Sequence, residues 1–314
     1  MNSYKEEVSI KGISTAVNSI NTGGKTIIIL GKVIKIASVK DDVCDNGINN
    51  PEVIIEELRK SKKADIFTFD QKLPDTKPKF DYYFEMDNHA ALEIESFEYW
   101  WNKQIGNDAR RMVRKAEKQG VVAKVVSFSD ELVSGIKEIY DEAPVRRGKP
   151  FWHYNKTFSE VKADNASFLE RSDFIGAYLG EELIGFDKII YTDCWAAQIQ
   201  LISKLKYRDK CPINALLAEA VKVCAEKEIR FLTYGSYIYG KKGADPLTDF
   251  KKRNGFKKID YPKYYVSLTL KGRIALKFGF HKSLLETLPT VFVDILLKMR
   301  TKYYQLISSR EPRA

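Results

Sequence analysis

Asp187 sits in the middle of Leu183-Ile-Gly-Phe-Asp-Lys-Ile-Ile-Tyr191, a run that is apolar apart from it and Lys188. That is an unusual place for a bare carboxylate and makes it a candidate for proton transfer. Two further carriers of exchangeable protons, Tyr234 and Tyr237, lie in a β-like stretch, and Asp249 and Lys251 flank Phe250. A carboxylate can take a proton and a tyrosine or lysine can give one. A different pattern occupies residues 204–210, where Lys204, Lys206, Arg208 and Lys210 stand against Asp209 just ahead of a helix start at Pro212. Cationic side chains and a helix N-terminus both attract anions, so Lys206, Arg208, Lys210 and the first-turn Asn214 are candidate anion contacts. Arg146-Arg147 precedes Phe151-Trp152-His153 in a stretch punctuated by Pro144, Gly148 and Pro150. Such a mix of cation and ring suits a substrate entrance, with Arg146, Arg147 and Trp152 as its lining. Each residue also has a plainer use: strand tyrosines pack, helix-flanking aspartates cap, and basic loops are solvated.

Other chemistries are not supported. His89, His153 and His281 are far apart, and the four cysteines lack paired short spacing. Neither a triad, a metal site nor a disulfide framework is expected. The first residues show no apolar stretch behind their charges, and Ile27-Ile-Ile-Leu30 is too short to span a bilayer, so the expectation is a soluble cytoplasmic protein. The net charge of +10 is uneven: residues 40–100 hold 8 basic and 15 acidic side chains, residues 263–314 hold 10 and 3. That asymmetry suits an anionic partner, whether RNA, a phosphorylated substrate or a membrane face.

The elements that would position these groups follow from periodicity. Thr26–Leu30 and Val33–Ala37 read as a hairpin split at Gly31-Lys32, and Pro51 opens a helix. Strands are expected at 65–70, 82–84 and 91–94, then a long helix from Ser96 to Gly120 whose second half is dense in cations. From Val121 the order is strand, helix 129–143, helix 158–171, antiparallel strands at 174–179, 183–191 and 195–203, helix 213–228, strand 231–237, helix 246–253 and strand 258–268. Residues 283–307 carry Leu284, Leu288, Phe292, Ile295, Met299, Tyr303 and Leu306 at helical spacing, an amphipathic C-terminal helix for its own domain, a partner or a membrane surface.

Three segments carry a family resemblance: Arg110-Arg-Met-Val-Arg-Lys-Ala-Glu-Lys-Gln-Gly-Val121, Gly176-Ala-Tyr-Leu-Gly-Glu-Glu-Leu-Ile-Gly185, and Asp249-Phe-Lys-Lys-Arg-Asn-Gly-Phe256. In this order they resemble GNAT-fold acyltransferases, nearest to the Fem-type aminoacyltransferases. The resemblance spans about half of the chain, from Arg110 to Leu268. It implies an α/β (α+β) fold with a mixed, mostly antiparallel sheet flanked by helices. It further implies a divergent tandem arrangement: residues 1–120 as a degenerate first half ending in the basic helix, 121–268 as the acyltransferase domain, and 269–314 as a basic helical extension. One sheet over 121–268, splayed near Ser203 and Thr233, is expected.

The activity so implied is transfer of an acyl or aminoacyl group onto an amine. Asp187 or Asp249 would serve as base, Tyr234 or Lys251 as acid, and Tyr237 with the cationic residues above would bind substrate. No separate cofactor is required; the donor is an acyl-CoA or an aminoacyl-tRNA, the latter met by the basic loops. Two departures matter. Many GNAT enzymes place a tyrosine acid where this chain has Phe250, and their glycine-rich pyrophosphate turn corresponds to Lys206–Ala215, which has no glycine. The second departure argues for weak acetyl-CoA binding. The alternative is a catalytically inactive GNAT-like module that binds an anionic ligand or partner, whose cleft would be filled by side chains.

Overall fold

The structure is a computed structural model and describes residues 4–10, 13–239 and 245–282. The amphipathic segment 283–307, and any membrane or partner contact through it, lies outside the described residues.

The chain begins with β1 (Tyr4–Ile10), β2 (Ile13–Thr22), β3 (Lys25–Leu30) and β4 (Ile36–Val39). The expected hairpin is present, but its second strand starts at Ile36: Gly31, at φ 101°, turns the chain outward and leaves Val33 74% exposed. Helix α1 (Pro51–Ser61) opens on its proline and buries Ile54, Ile55 and Leu58. Then come β5 (Ile66–Asp70) and β6 (Phe84–Glu93), one strand where two were expected.

The long helix expected from Ser96 is broken. Ser96 caps α2 (Phe97–Tyr99), which runs through a π turn at Trp100–Gln104 and stops. Gly106 N–H then donates to Arg253 carbonyl at 2.7 Å, and α3 (Asn107–Lys118) starts afresh. A Cβ at Gly106 would meet Arg253 carbonyl oxygen at 3.1 Å, so this close approach favours glycine.

The remaining elements are β7 (Val121–Val126), α4 (Asp130–Asp141), the short strands β8 (Val145–Arg146) and β9 (Lys149–Pro150), α5 (Phe158–Asn165), β10 (Ser172–Leu179), β11 (Glu182–Tyr191), β12 (Trp195–Ser203), α6 (Pro212–Glu226), β13 (Phe231–Thr233), α7 (Pro246–Arg253), β14 (Lys257–Ser267) and α8 (Leu270–Lys277). The basic segment is a 3-10 turn, Leu205–Lys210, rather than an open loop.

Two compact units divide the chain. Among the described residues, the first takes those of 4–89 and 259–282, the second those of 90–258. In the first, β1 to β4 form an antiparallel meander, β4 pairs parallel with β5, and β5 pairs antiparallel with β14. Helix α1 covers it, joining Ile20, Ile27, Ile29, Phe67 and Phe69 in one core.

In the second unit β7, β10, β11 and β12 are antiparallel neighbours, β13 is parallel to β12, and residues 91–93 of β6 pair antiparallel with β13. Helices α3 and α6 cover one face, α4 and α5 the other. Strand β11 is therefore buried on both sides, which explains its near-continuous apolar run. The architecture is a mixed, mostly antiparallel sheet flanked by helices, as expected.

The boundaries differ from 120/121 and 268/269. Residues 121–268 do not make one closed set, because β14 joins β5 and the neighbour of β13 comes from β6. Strand pairing joins residues far apart in sequence, and local periodicity does not encode it. No helix among the described residues is long and apolar enough to cross a membrane.

Candidate active site

Strands β12 and β13 run parallel and pair over three positions only, from Trp195–Phe231 to Ala197–Thr233. Beyond these, β12 continues to Ser203 whereas β13 stops. The sheet thus opens at its two parallel strands, close to the expected splay.

The segment leaving β13 is Tyr234-Gly-Ser-Tyr-Ile-Tyr239. Gly235 takes φ 55°, and a Cβ there would lie 2.7 Å from the Tyr239 hydroxyl, so glycine lets the segment fold back on itself. Lys251 of α7 points into this fold. It is fully buried, and its ammonium donates to Ser236 carbonyl at 2.6 Å and to Tyr239 hydroxyl at 3.4 Å. It also lies over two rings, 4.8 Å from the centre of Tyr234 and 4.7 Å from that of Tyr239.

A buried ammonium loses hydration, which disfavours its charge. Burial pulls Lys251 down to about 8, Arg147 pushes the same way, and Asp245 opposes both. Tyr234 is raised by burial to about 12, with Arg147 opposing. Arg147 is exposed at the tip of the β8–β9 hairpin, where Arg147 and Gly148 both take positive φ.

Of the expected residues, the structure brings Tyr234 and Lys251 into contact, and the charge of Arg147 acts on both. Tyr239 and the Ser236 carbonyl complete the group and were missed; Gly235 among three tyrosines was the available signal. Tyr237 is beside the group in sequence, but its side chain packs on the main core and its carbonyl accepts from Thr248.

The other expected residues are elsewhere. Asp249 is exposed on α7, because residues two apart on a helix face opposite sides, so it cannot act with Lys251. Asp187 faces the α6 core, wholly buried, with Gln198 amide donating to one oxygen at 2.5 Å. Its charge acts on Tyr234, but the hydrogen bond it makes is to Gln198, and none joins it to Tyr234 or Lys251 among the described residues. Arg146 is a structural tie, donating to Ile139 carbonyl (2.6 Å), Ser203 carbonyl (2.9 Å) and Glu142 (3.1 Å) while stacking on Phe151. Trp152 is exposed, edge-on to His153.

The basic segment is largely neutralised. Lys204 is buried between Glu138 and Glu182, at 2.8 Å from each, and Lys206 lies 2.9 Å from Glu182. Backbone N–H groups of Leu205 and Lys206 both donate to the Glu142 carboxylate. Arg208 remains exposed and Lys210 and Asn214 half-buried. A groove of about 570 Å³ lined by Lys137, Glu138, Glu142, Phe158 and Lys204 lies along α4, apart from Lys251.

Asp187 supplies a stability prediction. Burial pushes its carboxyl well above the ordinary range, the Gln198 hydrogen bond opposing. The unfolded chain loses this proton near pH 4 whereas the native state keeps it, so native stability falls as pH rises above that point. Asp187→Asn removes the loss. Its melting temperature should match the parent near pH 4 and exceed it at pH 7, on the order of 5 °C. A difference that does not change with pH would refute this.

No family model matches the sequence, and no curated protein matches it either. Solved structures do match. The C-terminal domain of a proposed lysylphosphatidylglycerol synthetase from Agrobacterium fabrum aligns with TM-score 0.56 at 13% identity, over 84% of this chain and 88% of that one. FemX aligns with TM-score 0.56 at 11% identity, over 88% and 90%. L-PGS from Bacillus licheniformis aligns with TM-score 0.56 at 15% identity, over 91% and 89%. At these identities the likeness is one of fold, and it is the GNAT-type, Fem-like fold that the sequence resembled.

Proposed function

We propose that the chain is a transferase that moves an acyl or aminoacyl group from an anionic carrier onto an amine. The observation that carries this reading is Lys251, buried against the rings of Tyr234 and Tyr239 on the segment that follows β13, with its charge influenced by Asp245 and Arg147. An amine attacking an acyl ester builds negative charge on the carbonyl oxygen, and fixed cations in a dry site stabilise it. Lys251 is still mostly protonated at neutral pH, yet gives up its proton more readily than a solvated lysine. It can therefore hold the oxyanion and then protonate the departing oxygen. Tyr234 and Tyr239 fix its position. Asp249 faces away from Lys251, whereas Asp245 acts on it and favours its charged form. The acceptor amine attacks in its neutral form, and the proton it sheds as the amide forms returns to Lys251, which has given its own to the departing oxygen.

For the donor, the reading favours an aminoacyl-tRNA over an acyl-CoA. The backbone N–H groups of Leu205 and Lys206 already serve Glu142, and Pro212 at the head of α6 has none to offer a pyrophosphate. Arg208 and Lys210 remain for a phosphate backbone, and no separate cofactor enters the scheme.

One observation favours a second reading, a catalytically inactive module that binds an anionic ligand: Lys251 is enclosed, with Tyr239 lying over it. The test is incubation with labelled aminoacyl-tRNA and a panel of amines, alongside calorimetry with acetyl-CoA. Label should move to an amine, and acetyl-CoA should bind more weakly than micromolar, about −8 kcal/mol. Tight acetyl-CoA binding overturns the donor assignment. RNA binding without transfer supports the inactive module.

A further inference from the structure

Helix α8 packs in an inverted way. Its inward side is Gly272 and Ala275, both buried, and a Cβ at Gly272 would lie 1.9 Å from Asp65 carbonyl oxygen. Thr269 caps the helix and also donates to Asp65 at 2.9 Å, which fixes the helix against the start of β5. Its outward side is large and apolar. Leu270 is 70% exposed, Ile274 47% and Phe278 64%, and their spacing of four puts them on one stripe. Phe280, 65% exposed, stacks on Phe278 at 5.9 Å. A helix that serves only its own domain buries its large residues and shows its small or polar ones. This one does the reverse, and the exposed residues are contiguous rather than scattered.

The rim of the stripe is cationic. Arg273 and Lys277 lie exposed along one flank and Lys271 along the other. Lys271 is held by Val33 carbonyl and by Asp65 at 3.5 Å. Neither Arg273 nor Lys277 has a carboxylate within ion-pair distance among the described residues. No Asp or Glu occurs between Leu268 and Glu286.

We infer that the outward face of α8 docks on an anionic lipid surface. Apolar side chains flanked on both sides by long cations suit the boundary between acyl chains and phosphate headgroups: the rings enter the first and the cations reach the second. The charge argues against the competing occupants. Residues 283–314 carry five cations and three carboxylates, so this chain's own continuation does not neutralise the rim. A second copy would bring an equally basic stripe. The inference is independent of the transfer reaction and of Lys251.

The test uses the full chain with vesicles of phosphatidylcholine alone or mixed with phosphatidylglycerol, read by sedimentation. The protein should bind the anionic vesicles and leave the neutral ones. Phe278→Ser with Phe280→Ser should weaken binding about tenfold or more. Arg273→Glu with Lys277→Glu, or salt raised to about 0.5 M, should weaken it comparably. All four positions are exposed, so the melting temperatures of the variants should match the parent. A parent that does not bind, or variants that bind as it does, overturns the inference. So does light scattering that shows a dimer dispersed by the double Phe variant, which would mean that a second copy covers the stripe. Phe278→Trp separates the last case: its added emission should be solvent-like without vesicles and blue-shifted with them. Blue-shifted emission without vesicles would mean that another part of this chain covers the stripe.

Discussion

Lys251→Met is expected to lower acyl transfer by about 10²- to 10³-fold while leaving the fold intact, because it keeps the length of the stem between the rings of Tyr234 and Tyr239 and deletes only the charge. The pH profile makes the assignment specific. The charged form of Lys251 is the working one, and burial sets its titration near 8, so kcat/KM should fall as pH rises through that value. Arg147 holds Lys251 down by repulsion between like charges. Arg147→Ala should therefore move the alkaline limb to higher pH, as well as lowering the rate. A purely structural Lys251 would show neither effect. Unchanged transfer in Lys251→Met, or an alkaline limb that does not move in Arg147→Ala, would remove Lys251 from the mechanism.

Trp100→Ala should cost about 3–5 kcal/mol of unfolding free energy, measured from urea midpoints at constant slope. Trp100 is fully buried, touches Phe97 and Trp101, and its indole N–H donates to Asn254 carbonyl at 2.9 Å. Asn254 in turn closes the C-terminus of α7, donating from its side chain to Phe250 carbonyl at 2.8 Å. Truncation thus leaves a cavity and also an unpaired buried carbonyl at the end of the helix that carries Lys251. Trp100→Phe keeps most of the ring and loses the donor, so it should fall between the two. A loss below about 1 kcal/mol for the alanine variant would mean that the neighbours close over the site.

These two residues show how differently the sequence spoke about its parts. Helix α7 is legible to the residue, because Asp245 before Pro246 is a start signal and Asn254-Gly255 a stop. The stripe of Ile213, Leu216, Leu217, Ala220, Val221 and Cys224 on α6 is equally plain, and all but the half-buried Ile213 are buried. Such features are written in spacings of two to four residues, and local backbone geometry alone turns them into structure. The broken helix at Gly106 was not legible, because the approach of Arg253 that ends it comes from far along the chain.

The site divides in the same way. The sequence by itself named Tyr234, Lys251 and Arg147 and located the parting of two strands. It offered Arg146 beside Arg147 and Asp249 beside Lys251 with equal force. Only the tertiary structure separates these pairs. Arg146 is consumed by carbonyls of α4 and β12, and Asp249 turns to solvent. The partners of β13 and β14 were likewise decided by pairing across the chain. Residue type and local spacing settle which element forms and what chemistry a side chain can do. Burial, charge and hydrogen-bond partners settle whether it does it, and for Lys251 those come from Ser236, Tyr239 and Arg147, which no local pattern ties to it.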